Sequence, residues 1–157
     1  MTDTRIRQAN LADRPFIEGC VAAAYAKYVP RIGKPPAPML ADYASLIGAG
    51  VVYVLEHRST PAGVIVMFAG DGHLFVENVA VAPADHGRGL GRALMAFAEA
   101  EALRRGLPEI RLYTHQRMTE NLGFYRHLGY RVTGRRQEDG YRRIYFRKWL
   151  AAGRGDG

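Results

Sequence analysis

Residues 78–95, NVAVAPADHGRGLGRALM, decide how this chain is to be read. An apolar run ending at Val81 passes through Ala82-Pro83-Ala84-Asp85 into glycines at 87, 89 and 91, and then into good helix formers. Glycine is costly in an ordered element because it gives up more backbone freedom than any other residue. Two explanations compete. One is a turn that needs positive φ; the other is a main chain cleared of side chains so that an anion can approach its N–H groups. The first-turn N–H groups of a helix lack intrahelical acceptors and lie at the positive end of its dipole, so a strand–loop–helix join suits a pyrophosphate. Gly87, Arg88, Gly89, Leu90, Gly91 and Arg92 would form that cradle.

Two familiar phosphate loops do not fit. A P-loop closes on Gly-Lys-Ser/Thr, whereas Gly91 is followed by Arg92-Ala93. A dinucleotide fingerprint G-x-G-x-x-G would need glycine or alanine at Arg92 if begun at Gly87, or at Leu94 if begun at Gly89. It also wants an acidic residue closing the next strand, and EIRLYTH (109–115) ends in Thr114-His115. What remains is x-x-x-G-x-G opening a helix.

Around this segment, 157 residues suffice for one domain with one core. No run approaches the roughly 18 apolar residues of a membrane span. The polar, acid-bearing start MTDTRIRQANLADRP reads against a signal or transit peptide, so a soluble cytoplasmic protein is expected. Cys20 is the lone cysteine, and the five histidines lack H-x-x-x-H spacing, so no metal site is expected. The formal charge of +7 points to an anionic partner: a phosphorylated cofactor, an acidic substrate or nucleic acid. A solvated surface explains it as readily. The arginines of YRVTGRR (130–136) and YRRIYFRKW (141–149) sit singly along strands, which does not favour nucleic acid.

TRIRQA (4–9) reads as a strand. Asp13 is expected to cap a helix with Pro15 in its first turn and Ile17, Val21, Ala24 and Tyr28 at helical spacing, with Cys20 as a small core residue. VPRIGKPPAPM (29–39) reads as a loop and MLADYASLIG (39–48) as a short helix. VVYVLEH (51–57) and AGVIVMFAG (62–70) are strands joined at RSTPAG (58–63). HLFVENVAV (73–81) is a central strand apolar enough to be covered on both faces. The helix after the glycines carries Leu90, Leu94 and Phe97 on one side and stops at Gly106-Leu107-Pro108. EIRLYTH is a strand, MTENLGFYRHLG (118–129) a short helix, and YRVTGRR and YRRIYFRKWL a hairpin around QEDG (137–140). The order β-α-α-β-β-β-α-β-α-β-β makes one α/β domain, residues 1–150, on a mixed sheet. AAGRGDG (151–157) is expected to be a flexible tail.

From Phe75 to Trp149 the chain resembles the GNAT superfamily, the Gcn5-related N-acetyltransferases. Their signature Q/R-x-x-G-x-G/A follows a Val-Ala-Val-like strand end, as in NVAVAPADHGRGLGRAL, with His86 at the Gln/Arg position. NLGFYRHLGY (121–130) is similar to the family's A-x-x-F-Y-x-x-L-G-F helix. The resemblance implies a mostly antiparallel GNAT sheet flanked by helices and acetyl-coenzyme A as co-substrate. It implies that the strand through Val79, Ala80 and Val81 splays from the next one, so that the pantetheine amides pair with the main chain of Val79 and Val81. The pyrophosphate falls to Gly87–Arg92. Asn121 lies near a frequent cofactor contact, although the family's usual Asn position holds Met118; a helix-cap or surface role is equally open.

Acetyl transfer to an amine needs a neutral amine, a polarised thioester and a proton for the departing thiolate. By the resemblance, Tyr125 is the Tyr of the F-Y pair, whose hydroxyl lies close to the thioester sulfur; a core aromatic is the alternative. Glu77 interrupts an apolar strand, where a carboxylate is costly unless it faces a wet cleft and where burial raises its pKa toward that of a base. An ion pair with an arginine is equally open. Tyr113 and His115 share a strand face by period two; His115 is a second candidate base, with a structural role as the competing reading. Some family members that acetylate protein N-termini carry Glu at the position of Tyr113. Substrate walls are expected from Tyr25, Tyr28, Arg31, Tyr141 and Tyr145. The expected function is an N-acetyltransferase acting on a primary amine of a small molecule or peptide, by direct attack in a ternary complex and without an acetyl-Cys20 intermediate. A homodimer is admissible. The rival functions are a silent acyl-coenzyme A sensor and an enzyme directed to aminoacyl-tRNA.

Overall fold

The computed structural model describes residues 3–150; the tail expected at 151–157 lies outside them. Seven strands, β1 (Thr4–Gln8), β2 (Val52–His57), β3 (Thr60–Ala69), β4 (Leu74–Val81), β5 (Glu109–His115), β6 (Arg131–Glu138) and β7 (Tyr141–Trp149), take the order β1-β2-β3-β4-β5-β7-β6. The sheet is mostly antiparallel, with β4 and β5 parallel. The helices are α1 (Arg14–Tyr25), α2 (Tyr28–Ile32), α3 (Tyr43–Gly48), α4 (Leu90–Arg104) and α5 (Thr119–His127). This is the expected order with one helix added. Contacts group the chain into two compact units. Among the described residues, the first holds 3–67 together with Glu77–Phe97, and the second holds Phe68–Val76 together with 98–150.

In the first unit the apolar face of α1 buries Ile17, Cys20, Val21 and Tyr25. Val54, Leu55, Val64, Val66, Leu90 and Leu94 add to the core. Asp13 stands at the N-cap position of α1, with Pro15 in the first turn as expected, but its side chain makes no capping hydrogen bond to that helix. It ends a 3-10 turn, Leu11–Asp13, capped by Asn10, and its carboxylate returns to accept from the Asn10 N–H at 2.8 Å. The same carboxylate grips the Arg7 guanidinium through two 2.8 Å hydrogen bonds, and Arg7 Nε reaches Glu56 at 2.8 Å. α1 stops at Tyr25, before the expected stripe ends, and a separate α2 opens at Tyr28 and runs into the stretch expected to be a loop. Pro30 falls in the first turn of α2, where its missing N–H has no intrahelical acceptor to serve, so proline does not forbid this helix. The β2–β3 turn is shorter than expected, just Arg58-Ser59 at φ 54 and 69, the signs a two-residue hairpin turn requires.

The Arg7 hydrogen bonds hold the Asp13 carboxyl below the usual carboxylate range. A depressed folded-state pKa contributes stability above the unfolded value, and that contribution is lost as pH falls through the folded value. We therefore expect unfolding stability to drop as pH falls below about 4. Asp13→Asn should cost roughly 1–3 kcal/mol at neutral pH and flatten that acid limb. Urea titrations of both proteins across this range check it.

β4 alternates rather than being covered on both faces: Leu74, Val76, Asn78 and Ala80 are buried, while Phe75, Glu77, Val79 and Val81 are half-buried. In the second unit, β4 pairs with β5 through Leu74↔Ile110, Phe75↔Arg111 and Val76↔Leu112; Glu77–Val81 lie beyond this ladder. β5, β7 and β6 continue antiparallel over a core of Ile110, Leu112, Tyr125, Tyr130, Ile144 and Phe146. The last hairpin turns on Asp139-Gly140 alone, with Gln137 and Glu138 still in β6.

Candidate functional site

The glycine segment starts from a 3-10 turn, Pro83–Asp85, in which proline takes an N-terminal position. His86 Nε2 sits 3.1 Å from the Val81 carbonyl oxygen, fastening the loop back to β4, and Arg88 Nε reaches Asp85 at 3.6 Å. Gly87 and Gly89 have φ of 83 and 74, a conformation that excludes most side chains. A turn therefore does require both. A Cβ built on either meets nothing within 4 Å, so the space above them is open. Gly91 lies in the first turn of α4 and no left-handed backbone calls for it. The helical bonding begins with the Ala93 N–H to the Gly89 carbonyl, at 3.0 Å, so the N–H groups of Leu90, Gly91 and Arg92 precede it. Arg88 and Arg92 are exposed beside them.

Next to this loop the first unit holds a buried polar chain that sequence reasoning missed. Tyr25 Oη lies 2.7 Å from Asn78 Oδ1 and 3.0 Å from the Val79 carbonyl oxygen. Asn78 Nδ2 donates to Tyr43 Oη at 2.8 Å, and the Tyr43 hydroxyl donates to the Pro38 carbonyl at 2.6 Å. These contacts tie α1, α3 and the segment before α3 to β4. Burial pushes the Tyr43 hydroxyl pKa up, the Asn78 hydrogen bond opposes this, and the Glu77 charge adds to the rise. Of the main chain expected to meet a cofactor, the Val79 and Val81 carbonyls already meet Tyr25 and His86; each keeps a second lone pair. Ala80 is buried.

The available signal was Asn78 itself, an amide in an otherwise apolar strand. Removing it leaves the Tyr25 and Tyr43 hydroxyls without their amide partner in a site too dry to replace it. Asn78→Leu should cost roughly 2–4 kcal/mol in denaturant unfolding, since each stranded buried polar group costs about 1–3 kcal/mol. Tyr43→Phe should cost less.

Tyr28, expected at a substrate wall, is buried in the first unit, 6.1 Å from the Tyr25 ring, with Lys27 and the exposed Arg31 over its face at 5.2 and 5.3 Å. Cys20 is buried as expected, and burial pushes its thiol pKa up to about 12, so it holds its proton at neutral pH and is no nucleophile.

In the second unit Tyr125 is buried among Phe124, Tyr130 and Phe146, with ring centroids 5.1, 5.9 and 5.9 Å away. Asn121 does not cap α5. It lies in the first turn and its Nδ2 donates to Thr114 Oγ1 at 3.3 Å, joining α5 to β5. Met118, at the family's usual Asn position, is buried, with its sulfur 3.4 Å from Thr114 Oγ1. Tyr113 lies between Phe75 and Tyr145, with the Arg143 guanidinium 4.3 Å above it. His115 is buried; its Nδ1 accepts the Arg117 N–H at 2.9 Å, which commits that lone pair to the turn after β5. Tyr141 is buried edge-on against it, at 6.0 Å. The loop, Glu77 and Tyr28 thus belong to the first unit, and Tyr125, Asn121, Tyr113, His115 and Tyr141 to the second. Among the described residues no group of three His, Cys, Asp or Glu could hold a metal ion. No described helix is long and apolar enough to cross a membrane.

Residues 48–132 match the sequence model of the acetyltransferase (GNAT) domain. The chain is 32% identical over 133 residues to serotonin N-acetyltransferase 2, chloroplastic, of Oryza sativa subsp. japonica, covering 82% of this chain and 65% of that one. It is 48% identical over 59 residues to N-alpha-acetyltransferase 80 of Mus musculus, 38% of this chain and 18% of that one. The chain therefore spans less than two thirds of the length of either relative. In fold it is similar to the PaiA N-acetyltransferase of Thermoplasma acidophilum, solved with coenzyme A: TM-score 0.78, 17% identity, covering 94% of this chain and 99% of that one.

Proposed function

Because the chain belongs to the GNAT acetyltransferase family, we propose that it is an acetyl-coenzyme A-dependent N-acetyltransferase that acts on a primary amine by direct attack in a ternary complex. The observation that carries this reading is the Gly87–Arg92 segment. There two positive-φ glycines leave open space over the first-turn N–H groups of a fifteen-residue helix. Acetyl-coenzyme A, when bound, supplies an acetyl group already activated as a thioester.

This chain's residues then divide the remaining work. The N–H groups of Leu90, Gly91 and Arg92, with Arg88 beside them, hold the pyrophosphate. The main chain of Val79 and Val81, beyond the β4–β5 ladder, holds the pantetheine amides. Glu77, half-buried on the strand face it shares with Val79, takes the proton of the amine. The Tyr125 hydroxyl meets the charge that develops on the leaving sulfur. The Cys20 thiol, kept protonated by burial, supports the direct route over an acetyl-enzyme. Relatives named for serotonin and for protein α-amino groups place small amines and peptide N-termini first among the acceptors to be tried.

The test has two arms. Saturating acetyl-coenzyme A should raise the melting temperature, by more than free pantetheine does; a native-state ligand at a hundred times its Kd contributes about 2.7 kcal/mol. Thiol release should then appear with some member of an amine and peptide panel. A shift with no acceptor-dependent release would leave a silent acyl-coenzyme A-binding module. An unmoved melt overturns the reading.

A further inference from the structure

A cavity of about 430 Å³ opens on the second unit, lined by His73, Phe75, Arg111, Thr133, Gly134, Arg136, Tyr145, Phe146 and Arg147. We propose that it is a nucleotide site, in which Arg111 and Arg147 take a phosphate and Arg136, Tyr145 and Phe75 take a planar base. The inference does not depend on the proposed activity.

Three lining side chains are arginines, one is histidine and none is acidic; Glu109 pairs with Arg111 and Arg147 and Glu138 with Arg136 and the Tyr145 hydroxyl from outside the lining, so three guanidiniums stand against two carboxylates. In the strand register Arg111 faces Arg147, and Arg147 faces Arg131, three arginines side by side across β5, β7 and β6. Like charges facing each other across strands are destabilising, and a bound anion relieves that cost. The two central guanidiniums share one carboxylate partner. Glu109, its side chain only 6% exposed, accepts from Arg111 Nη2 at 2.9 Å and lies 3.2 Å from Arg147 Nε. One buried carboxylate between two guanidiniums hydrogen-bonds Arg111, pairs with Arg147 by charge, and leaves the trio net positive. Arg pairs of this kind suit the tetrahedral oxygens of phosphate.

The size and the rings point past a bare ion. The volume falls in the range of organic-ligand pockets, roughly 300–1,000 Å³. Gly134 stands in the interior of β6, opposite Tyr145 at a register shift, and a Cβ there meets nothing within 4 Å. A glycine in a strand weakens it and often marks close approach of another group; here it leaves open space beside its register partner Tyr145. The Tyr145 ring already stacks with the Arg136 guanidinium at 4.9 Å and continues an aromatic row through Tyr113 and Phe75, at 5.3 and 5.6 Å. Guanidinium and aromatic planes are the surfaces on which bases stack. His73 closes one end. Gly70 makes room for it, since a Cβ at 70 would fall 2.5 Å from the imidazole.

Adenosine 5′-monophosphate is titrated into wild-type protein and into Gly89→Val, whose side chain fills the open space over the loop at 87–92, so binding common to both lies elsewhere; it is read by NMR shifts and calorimetry. We expect saturable binding at millimolar or lower concentration. Arg136→Glu should weaken it at least about tenfold. Gly134→Val should abolish it without lowering the melting temperature, because the added side chain enters open space on extended backbone. These variants leave Glu109 paired, whereas removing Arg111 and Arg147 would strand a buried carboxylate. Inorganic phosphate should bind more weakly than the nucleotide. A 5′-phosphorylated oligoribonucleotide that binds more tightly than the mononucleotide identifies RNA as the source; equal affinity identifies the free nucleotide. No saturable binding, phosphate binding as tightly as the nucleotide, or binding that survives Gly134→Val overturns the proposal.

Discussion

Gly89→Val is expected to lower acetyl-coenzyme A affinity by at least about a hundredfold while leaving the protein folded. Two effects add. Valine at φ 74 is strained, at a cost on the order of 1–3 kcal/mol. Its branched side chain also occupies the open space over Gly89, where the helix N–H groups would meet a pyrophosphate. Because nothing in the protein lies within 4 Å of that Cβ, the substitution collides with no neighbour, and the strain alone should lower the melting temperature without cofactor by about 2–12 °C. Calorimetric titration of wild type, Gly89→Ala and Gly89→Val separates the two effects. Alanine carries the φ strain with little bulk, so an intermediate alanine assigns the remainder to obstruction. If both variants bind as wild type does, the glycine serves a turn and nothing more.

Tyr125→Phe should reduce kcat by about 10–10³-fold with little change in KM for acetyl-coenzyme A. The substitution removes one hydroxyl and keeps the ring that packs against Phe124, Tyr130 and Phe146, so a loss of rate cannot be charged to the aromatic cluster. Steady-state and single-turnover rates with an acceptor from the amine panel check it. Full turnover with chemistry rate-limiting would return Tyr125 to a packing role. Glu77→Gln has a different signature. A carboxylate base works only when ionised, so the wild-type rate falls toward acid pH as Glu77 protonates. The amide variant should be slow throughout and should lack that limb.

The parts of the fold that the sequence made legible are those with local causes. β5 runs from Glu109 to His115 as read, bounded by a glycine–proline stop before it and a turn after it. The start of α4 at Leu90 follows from glycines that no helix interior favours. The stretch 29–39 misled because prolines were counted as breakers, whereas Pro30 occupies the one helical turn that tolerates it. Asp13 looked like a cap because its partner, Arg7, lies in another element. The polar chain through Tyr25, Asn78 and Tyr43 was hidden for the same reason: its hydrogen bonds span 53 and 35 residues, beyond any periodicity. His115 was identified as a titratable group on a strand face, but only the coordinates reveal that its Nδ1 serves the next turn.

The strand order has β1 at one end and β6 at the other, and both are studded with arginine: Arg5 and Arg7 on one, Arg131, Arg135 and Arg136 on the other. An unpaired strand edge is a template on which a second chain can extend the sheet, the first step toward fibres. Two copies approaching along β6 would bring Arg131 and Arg135 toward their counterparts, and the irregular register near Gly134 would break any long match along that strand. Concentrated solutions of this protein should therefore stay free of strand-to-strand polymer along β6 at low salt.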